Sequence, residues 1–317
     1  MAKIGQDIDY AARLLTKGGL VAIPTETVYG LAANALDTDA VVKIFTAKNR
    51  PTFDPLIVHL NSIEKLEQYV EYIPEEANKL ANTFWPGPLT LLLKKRETIP
   101  DVVTSGLDTV GIRCPNHSLT QDLLAKLPFP LAAPSANPFG YISPTTAQHV
   151  NDQLGDQVEY ILDGGPCRVG IESTIVGFDD TMPIIYRAGG INQADIEAIV
   201  GPVEERLSNN SNPLAPGQLD SHYAPKKKLR ISSLKDIRAK SNDRNIGILL
   251  FKSSDIDNDT TLVLSPKGDL NEAAANLFSM LRELDQMDVD LILVELAPDQ
   301  GIGKAINDRL QRAAANG

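Results

Sequence analysis

The chain is poor in the residues that staple or ligate. Only two cysteines, Cys114 and Cys167, stand among 317 residues. Their spacing gives neither a zinc-ligand pair nor a disulfide framework, so a reducing cytoplasm is the expected setting. The four histidines, His59, His117, His149 and His222, show no metal-ligand spacing, and the sequence leaves any metal ligands unknown. No apolar run approaches the roughly 20 residues that span a bilayer. The N-terminal "MAKIGQDIDYAARLL" carries acidic residues and lacks the basic, apolar, small-residue order of a signal peptide, so no membrane partner is expected. The net charge of -11 argues against a protein that wraps nucleic-acid backbone, yet it permits a local basic pocket.

The common nucleotide loops are missing too. "GPCRVGIES" (165–173) has the two glycines of a P-loop, Gly165 and Gly170, but Ile171 and Glu172 stand where Lys and Ser/Thr are required. No G-x-G-x-x-G follows a strand, and no G-x-S-x-G elbow appears. Cys114 beside Arg113 has no evident partner base, and a buried structural thiol is the better reading. A nucleotide bound here must be held by side chains from several loops.

What is present is an α/β pattern. The composition, 43% hydrophobic and 22% charged, is that of a globular protein, and the length suits one large or two ordinary domains. "GLVAIPT", "LTLLLKK" and "TVGIRCP" read as strands, "PLAAPSA" as a short strand with a proline end, and "EYILDGG" and "ESTIVGF" as further strands. "DAVVKIFTAK" and "TTAQHVNDQLG" read as helices, the second capped at Gly155. "SLTQDLLAKL" reads as a helix with Ser118 as its N-cap, and "LEQYVEYIPEEANKLANTF" as helix with a proline stop. Strands and helices do not alternate strictly, which predicts a mixed sheet. From about Glu204 the texture turns rich in Ser, Asn, Pro and Gly. The domains are therefore expected at 1–204, with a linker or lid loop at 205–226 and a small parallel α/β unit at 227–317.

Cations and hydroxyls gather at element ends. Lys48 and Arg50 lie in "KNRP", Arg113 ends "TVGIRCP", and Arg187 lies in "IIYRAGG". Two readings of "KNRP" stand open: a helix end that offsets the negative end of the dipole, or cations that meet a bound anion. "APSANPFGYISPTT" (133–146) adds Ser135, Asn137 and Ser143, which either cap turns or bond a phosphate or ribose oxygen.

Taken in order, "IPTETVYGL", "KNRPTFDPLIVHL", "WPGPLTLLL", "VGIRCP", "APSAN" and "ESTIV" resemble the YrdC-like family. "SHYAP" and the added α/β unit are similar to its two-domain branch, the threonylcarbamoyl-AMP synthases. The resemblance implies a YrdC-like twisted mixed sheet with helices, followed by a small Rossmann-like parallel α/β domain. It implies a nucleotidyltransferase that condenses L-threonine, bicarbonate and ATP to L-threonylcarbamoyl-AMP and releases pyrophosphate. The product would pass to a threonylcarbamoyl transferase that modifies tRNA, with a transient tRNA contact and with Mg2+ accompanying the triphosphate.

Carried over residue by residue, the K-x-R with S-x-N set is Lys48, Arg50, Ser135 and Asn137, with Lys48 and Arg50 as the catalytic pair. Thr27, His59, Arg113, the backbone at Ala133 and Ser173 are implied around threonine. Arg50, Asp54, Thr109, Ser135, Asn137, Ser143, Arg187 and Tyr223 are implied around ATP. Many relatives carry Asn where this chain has Asp54. A carboxylate there would repel phosphate, so it is expected to touch adenine or sugar, or to sit near a cation. Two other functions are weighed: a carbamoyl-adenylate-forming relative, which two cysteines and 317 residues disfavour, and a non-catalytic RNA-binding module, which the acidic total disfavours.

Overall fold

The computed structural model describes residues 1–179, 182–207, 216, 222–241, 243–256 and 258–315. Most of the expected lid at 205–226 therefore lies outside the described residues. Eleven described strands form one mixed sheet. Its order is Lys3–Gly5, Tyr160–Leu162, Val21–Ile23, Gly30–Asn34, Leu131–Ala132, Ile57–His59, Thr109–Arg113, Leu89–Lys94, Thr174–Phe178, Pro183–Arg187 and Glu204–Glu205. Central strands are apolar at nearly every position because helices and loops cover both faces; Leu89 to Leu93 are all buried. Ile57–His59 runs parallel to Thr109–Arg113 and antiparallel to Leu131–Ala132, with His59 opposite Arg113. The last strand extends past 204 and pairs with Pro183–Arg187.

The helix Thr38–Lys48 packs on Gly30–Asn34. Asp37 caps it, accepting from the backbone N–H groups of Asp39 and Ala40 at 3.0 and 3.2 Å. It ends at Asn49, whose φ of 51° is left-handed, a conformation Asn tolerates better than most side chains. That reversal is what turns Arg50 inward. Two local readings are corrected. Pro74 precedes the helix Glu75–Phe84 and opens it, because its missing N–H costs nothing at a helix start. Ser118 is the first residue of the helix Ser118–Lys126, whose N-cap position falls to His117 without a side-chain bond. Gly155 does close the helix Ala147–Leu154.

A second sheet of four parallel strands follows, ordered Lys228–Ile231, Leu291–Val294, Ile246–Leu250, Thr261–Val263. The helices Leu270–Gln286 and Gly303–Ala314 pack against it. Its core is shared with the first unit: Val28, Ile142, Ile171 and Tyr223 pack among Leu277, Phe278 and Leu281. Polar bonds also cross, from Tyr141 Oη to Asp285 at 2.5 Å, between Thr145 and Ser279 at 2.8 Å, and from Arg282 Nε to the Ser143 carbonyl at 3.2 Å. Gly170, with φ of 77°, meets the second unit so closely that a Cβ would lie 2.4 Å from Ala275 Cα. Among the described residues, no helix is long and apolar enough to cross a membrane.

Candidate functional site

The parallel strands Ile57–His59 and Thr109–Arg113 end side by side, and a cleft opens at their carboxyl ends. Thr27, His59, Arg113, Ala133, Ser135, Ser173, Arg50, Arg187 and Tyr223 all line it.

On one wall, Arg113 Nη1 donates to Thr27 Oγ1 at 2.9 Å, and Thr27 in turn pairs with Thr25 at 2.8 Å. Arg113 Nη2 lies 2.8 Å from Glu26 Oε1, an ion pair without hydrogen-bond alignment. Its Nε has no hydrogen-bond partner among the described residues although it is buried. A buried guanidinium with free donors, fixed in orientation, is the usual receptor for a carboxylate. His59 packs beside it, its Nδ1 3.2 Å from the Ile57 carbonyl. Burial, then the Arg113 charge, pushes its pKa down to about 3, so the ring is neutral. The N–H of Ala133 is already spent on the Ile57 carbonyl at 2.9 Å. Ser173 pairs with Thr90 at 2.7 Å.

The K-x-R and S-x-N pair meet as expected, but with divided roles. Lys48 is fully buried, and its ammonium donates to the carbonyls of Ser135, at 2.6 Å, and Asn137. Burial and the neighbouring Arg50 push its pKa well down. It does not line the cleft; it braces the loop that carries Ser135. Lys48 is the last residue of its helix, as the helix-end reading expects, but its side chain is directed at the Ser135 loop and does not line the cleft. Asn137 is likewise internal, donating to the carbonyls of Pro138 and Tyr141 at 2.8 Å each. Arg50 does face the cleft. It is held by the carbonyls of Asp54 and Pro55 at 3.0 and 2.8 Å and by the Asp54 carboxylate at 2.9 Å. Asp54 therefore sits near a cation, and burial pushes its pKa up.

On the far wall, Arg187 donates through Nε and Nη2 to the Ser173 carbonyl, at 3.0 and 2.9 Å, and through Nη1 to the Pro216 carbonyl at 3.1 Å. Burial lowers its pKa to about 10. Gly189 lets the next turn close on this wall: a Cβ there would lie 2.4 Å from the Glu172 carbonyl. Ser143 does not line the cleft; its hydroxyl donates to Glu172 Oε1 at 2.6 Å. Burial works against the Glu172 charge, but Arg309 and Arg187 hold its carboxyl below the usual range. Tyr223 lines the cleft and is buried, edge-on to His222 at 4.1 Å and stacked on Phe278 at 5.5 Å. Burial pushes its pKa up to about 12.

Thr109 departs from expectation. It begins the strand that Arg113 ends, and it lines a separate cavity of about 770 Å3 at the other end. That cavity is roomier, but the buried charges do not meet there.

Several contributors escaped the sequence reading. Glu26 lies inside "IPTETVYGL" and Glu172 inside "ESTIV", but nothing in either stretch marks the carboxylate as an arginine partner. Arg309, from the helix Gly303–Ala314, donates to Glu172 Oε2 at 2.9 Å; its only signal was a cation on a helix face, which sequence cannot aim. No group of three or more metal-ligating side chains occurs among the described residues. Both cysteines are buried and free, with pKa values raised by burial. Among the described residues the cleft holds three buried arginines, hydroxyls and two neutral histidines, His59 and His222, without a nucleophile–base pair, and this suits anionic substrates joined by positioning and charge neutralisation.

Comparison with known proteins gives the same picture. The family model described as "Telomere recombination" (Sua5, YciO and YrdC proteins) matches residues 13–189. The model described as "Threonylcarbamoyl-AMP synthase, C-terminal domain" matches residues 191–315. A threonylcarbamoyl-AMP synthase of Pyrococcus abyssi is 41% identical, over 97% of this chain and 94% of its own. One of Bacillus subtilis is 42% identical, over 97% and 92%. The crystal structure of P. abyssi Sua5 complexed with L-threonine superposes with a TM-score of 0.91 at 39% identity, covering 99% of this chain and 97% of that one.

Proposed function

From the premise that this chain belongs to the two-domain Sua5/YrdC family of threonylcarbamoyl-AMP synthases, we propose how its cleft performs that family's reaction. The enzyme condenses L-threonine, bicarbonate and ATP to L-threonylcarbamoyl-AMP and releases pyrophosphate and water. The threonine amine and bicarbonate give a carbamate. Its oxygen attacks the α-phosphorus, the bond to the β,γ-diphosphate breaks, and the electron pair leaves with pyrophosphate, which makes the protein a nucleotidyltransferase.

One observation carries this reading: Arg50, Arg113 and Arg187 converge, buried, on one cleft that has no nucleophile–base pair among the described residues. Arg113, with free donors beside Thr27, takes the threonine carboxylate, and neutral His59 leaves the neighbouring amine free to react. Arg50 and Arg187 face the phosphates and neutralise charge that grows on the leaving pyrophosphate. Ser135 and Tyr223 bound the nucleotide side, while Lys48 and Asn137 fix the loop that carries Ser135. Acidic groups in the site are already matched, Glu26 with Arg113, Asp54 with Arg50 and Glu172 with Arg309. Magnesium therefore enters with ATP as part of the substrate and is not caged by carboxylates.

The catalytic unit is assigned to 1–204, the linker to 205–226 and the second unit to 227–317. The adenylate passes to a transferase acting on tRNA, with a transient tRNA contact, in the cytoplasm. The test is pyrophosphate release from ATP and bicarbonate with threonine, without it, and with serine instead. Threonine-dependent release, with the adenylate identified by mass, supports the assignment; release indifferent to threonine overturns it.

A further inference from the structure

Arg309 belongs to the second unit, yet it is fully buried against the first. Its guanidinium spends every direction on a different neighbour. Nε donates to Glu172 Oε2 at 2.9 Å, Nη2 to the Ala188 carbonyl at 2.9 Å, and Nη1 to Asp308 at 2.6 Å. Its plane lies 5.3 Å from the Tyr223 ring. Each first-unit neighbour adjoins a group that faces the cleft. Glu172 precedes Ser173, Ala188 follows Arg187, and Tyr223 itself lines the cleft. The φ of Tyr223, 65°, is one a bulky side chain rarely adopts, so packing by Arg309 and Phe278 sets its place and the backbone does not.

We propose that Arg309 is a positioning residue for the nucleotide side of the site, so that the second unit completes the site. The claim rests on the adenylate-forming reading above. The physical reason is competition. Glu172 is a buried carboxylate on the same wall as Arg187, close enough for the two charges to attract, and with Arg309 gone it would have Arg187 as its nearest remaining cation. Arg309 occupies that carboxylate from behind and leaves the Arg187 guanidinium aimed from Ser173 toward the cleft. Without Arg309, Glu172 turns to Arg187, the Ala188 turn loosens and Tyr223 loses one face of its support. The hydrogen bonds of Arg309 go to Glu172, Ala188 and Asp308, whereas Arg113 on the opposite wall is bonded to Thr27 and paired with Glu26.

The test uses the full chain with Arg309→Met and Arg309→Lys, measuring pyrophosphate release against ATP and threonine separately. Arg309→Met is expected to raise the KM for ATP by about 10- to 100-fold, the cost of a small misplacement, while the KM for threonine stays within about twofold. Arg309→Lys should recover part of the loss, since it keeps the charge and loses the fork. Adding Glu172→Gln to Arg309→Met removes the stray carboxylate and should lower the KM for ATP again. A merely structural role would depress the amount of active enzyme and leave both KM values alone. If Arg309→Met fails to fold in a thermal melt, the lysine variant and the double variant carry the test. A wild-type KM for ATP in all folded variants overturns the proposal. Wild-type protein without threonine-dependent release overturns the functional reading instead, and the two failures are distinct.

Discussion

Glu26 and Arg113 meet behind the cleft lining, carboxylate oxygen to guanidinium nitrogen at 2.8 Å, both buried. The pair fixes the plane of the guanidinium, with Thr27 holding Nη1 from the other side. What remains is Nε, buried and unbonded among the described residues. A donor left so is costly unless a ligand takes it.

Arg113→Lys keeps the charge and discards the fork. A charge-assisted bond is worth about 1.5–3 kcal/mol, so the KM for threonine should rise by roughly 10- to 100-fold. The KM for ATP should barely move. Titrations of initial rate against each substrate check this, and an equal rise in both values would remove Arg113 from the threonine side.

Lys48 and Arg50 are two residues apart and should fail differently. Lys48→Met keeps the length and strands the Asn137 carbonyl, while the Ser135 carbonyl keeps only the bond from the Asn137 N–H; an unsatisfied buried group costs about 1–3 kcal/mol. The melting temperature should fall by several degrees, on the order of 2–4 °C per kcal/mol. Arg50→Ala should lose far more activity than Lys17→Ala, an exposed control outside the cleft. Comparable losses at Arg50 and Lys17 would undo the phosphate assignment, and an unmoved melting temperature for Lys48→Met would undo the brace.

The contrast shows what a sequence makes legible. Strand and helix identity was readable because apolar runs such as 89–93 and the helical spacing of 39–48 are local signals. The mixed sheet and the separate parallel unit followed from their order. The cleft residues were readable mainly through the resemblance, since Arg50, Arg113 and Arg187 come from distant segments. Direction was not legible. Lys48 points at two carbonyls and Arg50 into the cleft because a left-handed Asn49 intervenes, and sequence shows only "KNR". Thr109 and Arg113 share one strand, so only register and length reveal that they serve opposite ends. Arg309 was invisible because its first-unit partners, Glu172 and Ala188, lie more than a hundred residues away.

Stability should weaken in mild acid, with the buried histidines as the cause. Burial pushes both His59 and His222 down to about 3, from an ordinary value of 6.5. Below 6.5 the unfolded chain binds protons that the folded chain refuses. Stability is therefore whole above that value and is lost as pH falls from it toward 3. Each such site gives about 1.4 kcal/mol per pH unit in that window. Between pH 6.5 and 5.0, His59→Gln should flatten the decline of wild type by roughly 2 kcal/mol. Denaturant titrations of both proteins at pH 7.5 and 5.0 measure this; identical slopes would mean that His59 protonates freely in the folded protein.

Chelation separates a metal that rides with ATP from one that the protein keeps. The buried carboxylates in and beside the cleft are engaged by arginines, Glu172 by Arg309 and Glu26 by Arg113, and no metal-ligand cluster occurs among the described residues. A divalent ion bound by such a protein would have to displace buried ion pairs, whose disruption costs several kcal/mol. The triphosphate offers oxygens without that cost. EDTA should therefore abolish pyrophosphate release, and added Mg2+ should restore it. The melting temperature of the substrate-free chain should stay the same with and without EDTA, because an ion that binds only the folded state would raise it. A melting temperature that falls on chelation and recovers with Mg2+ would place a resident ion in the protein and overturn the assignment of the metal to the substrate.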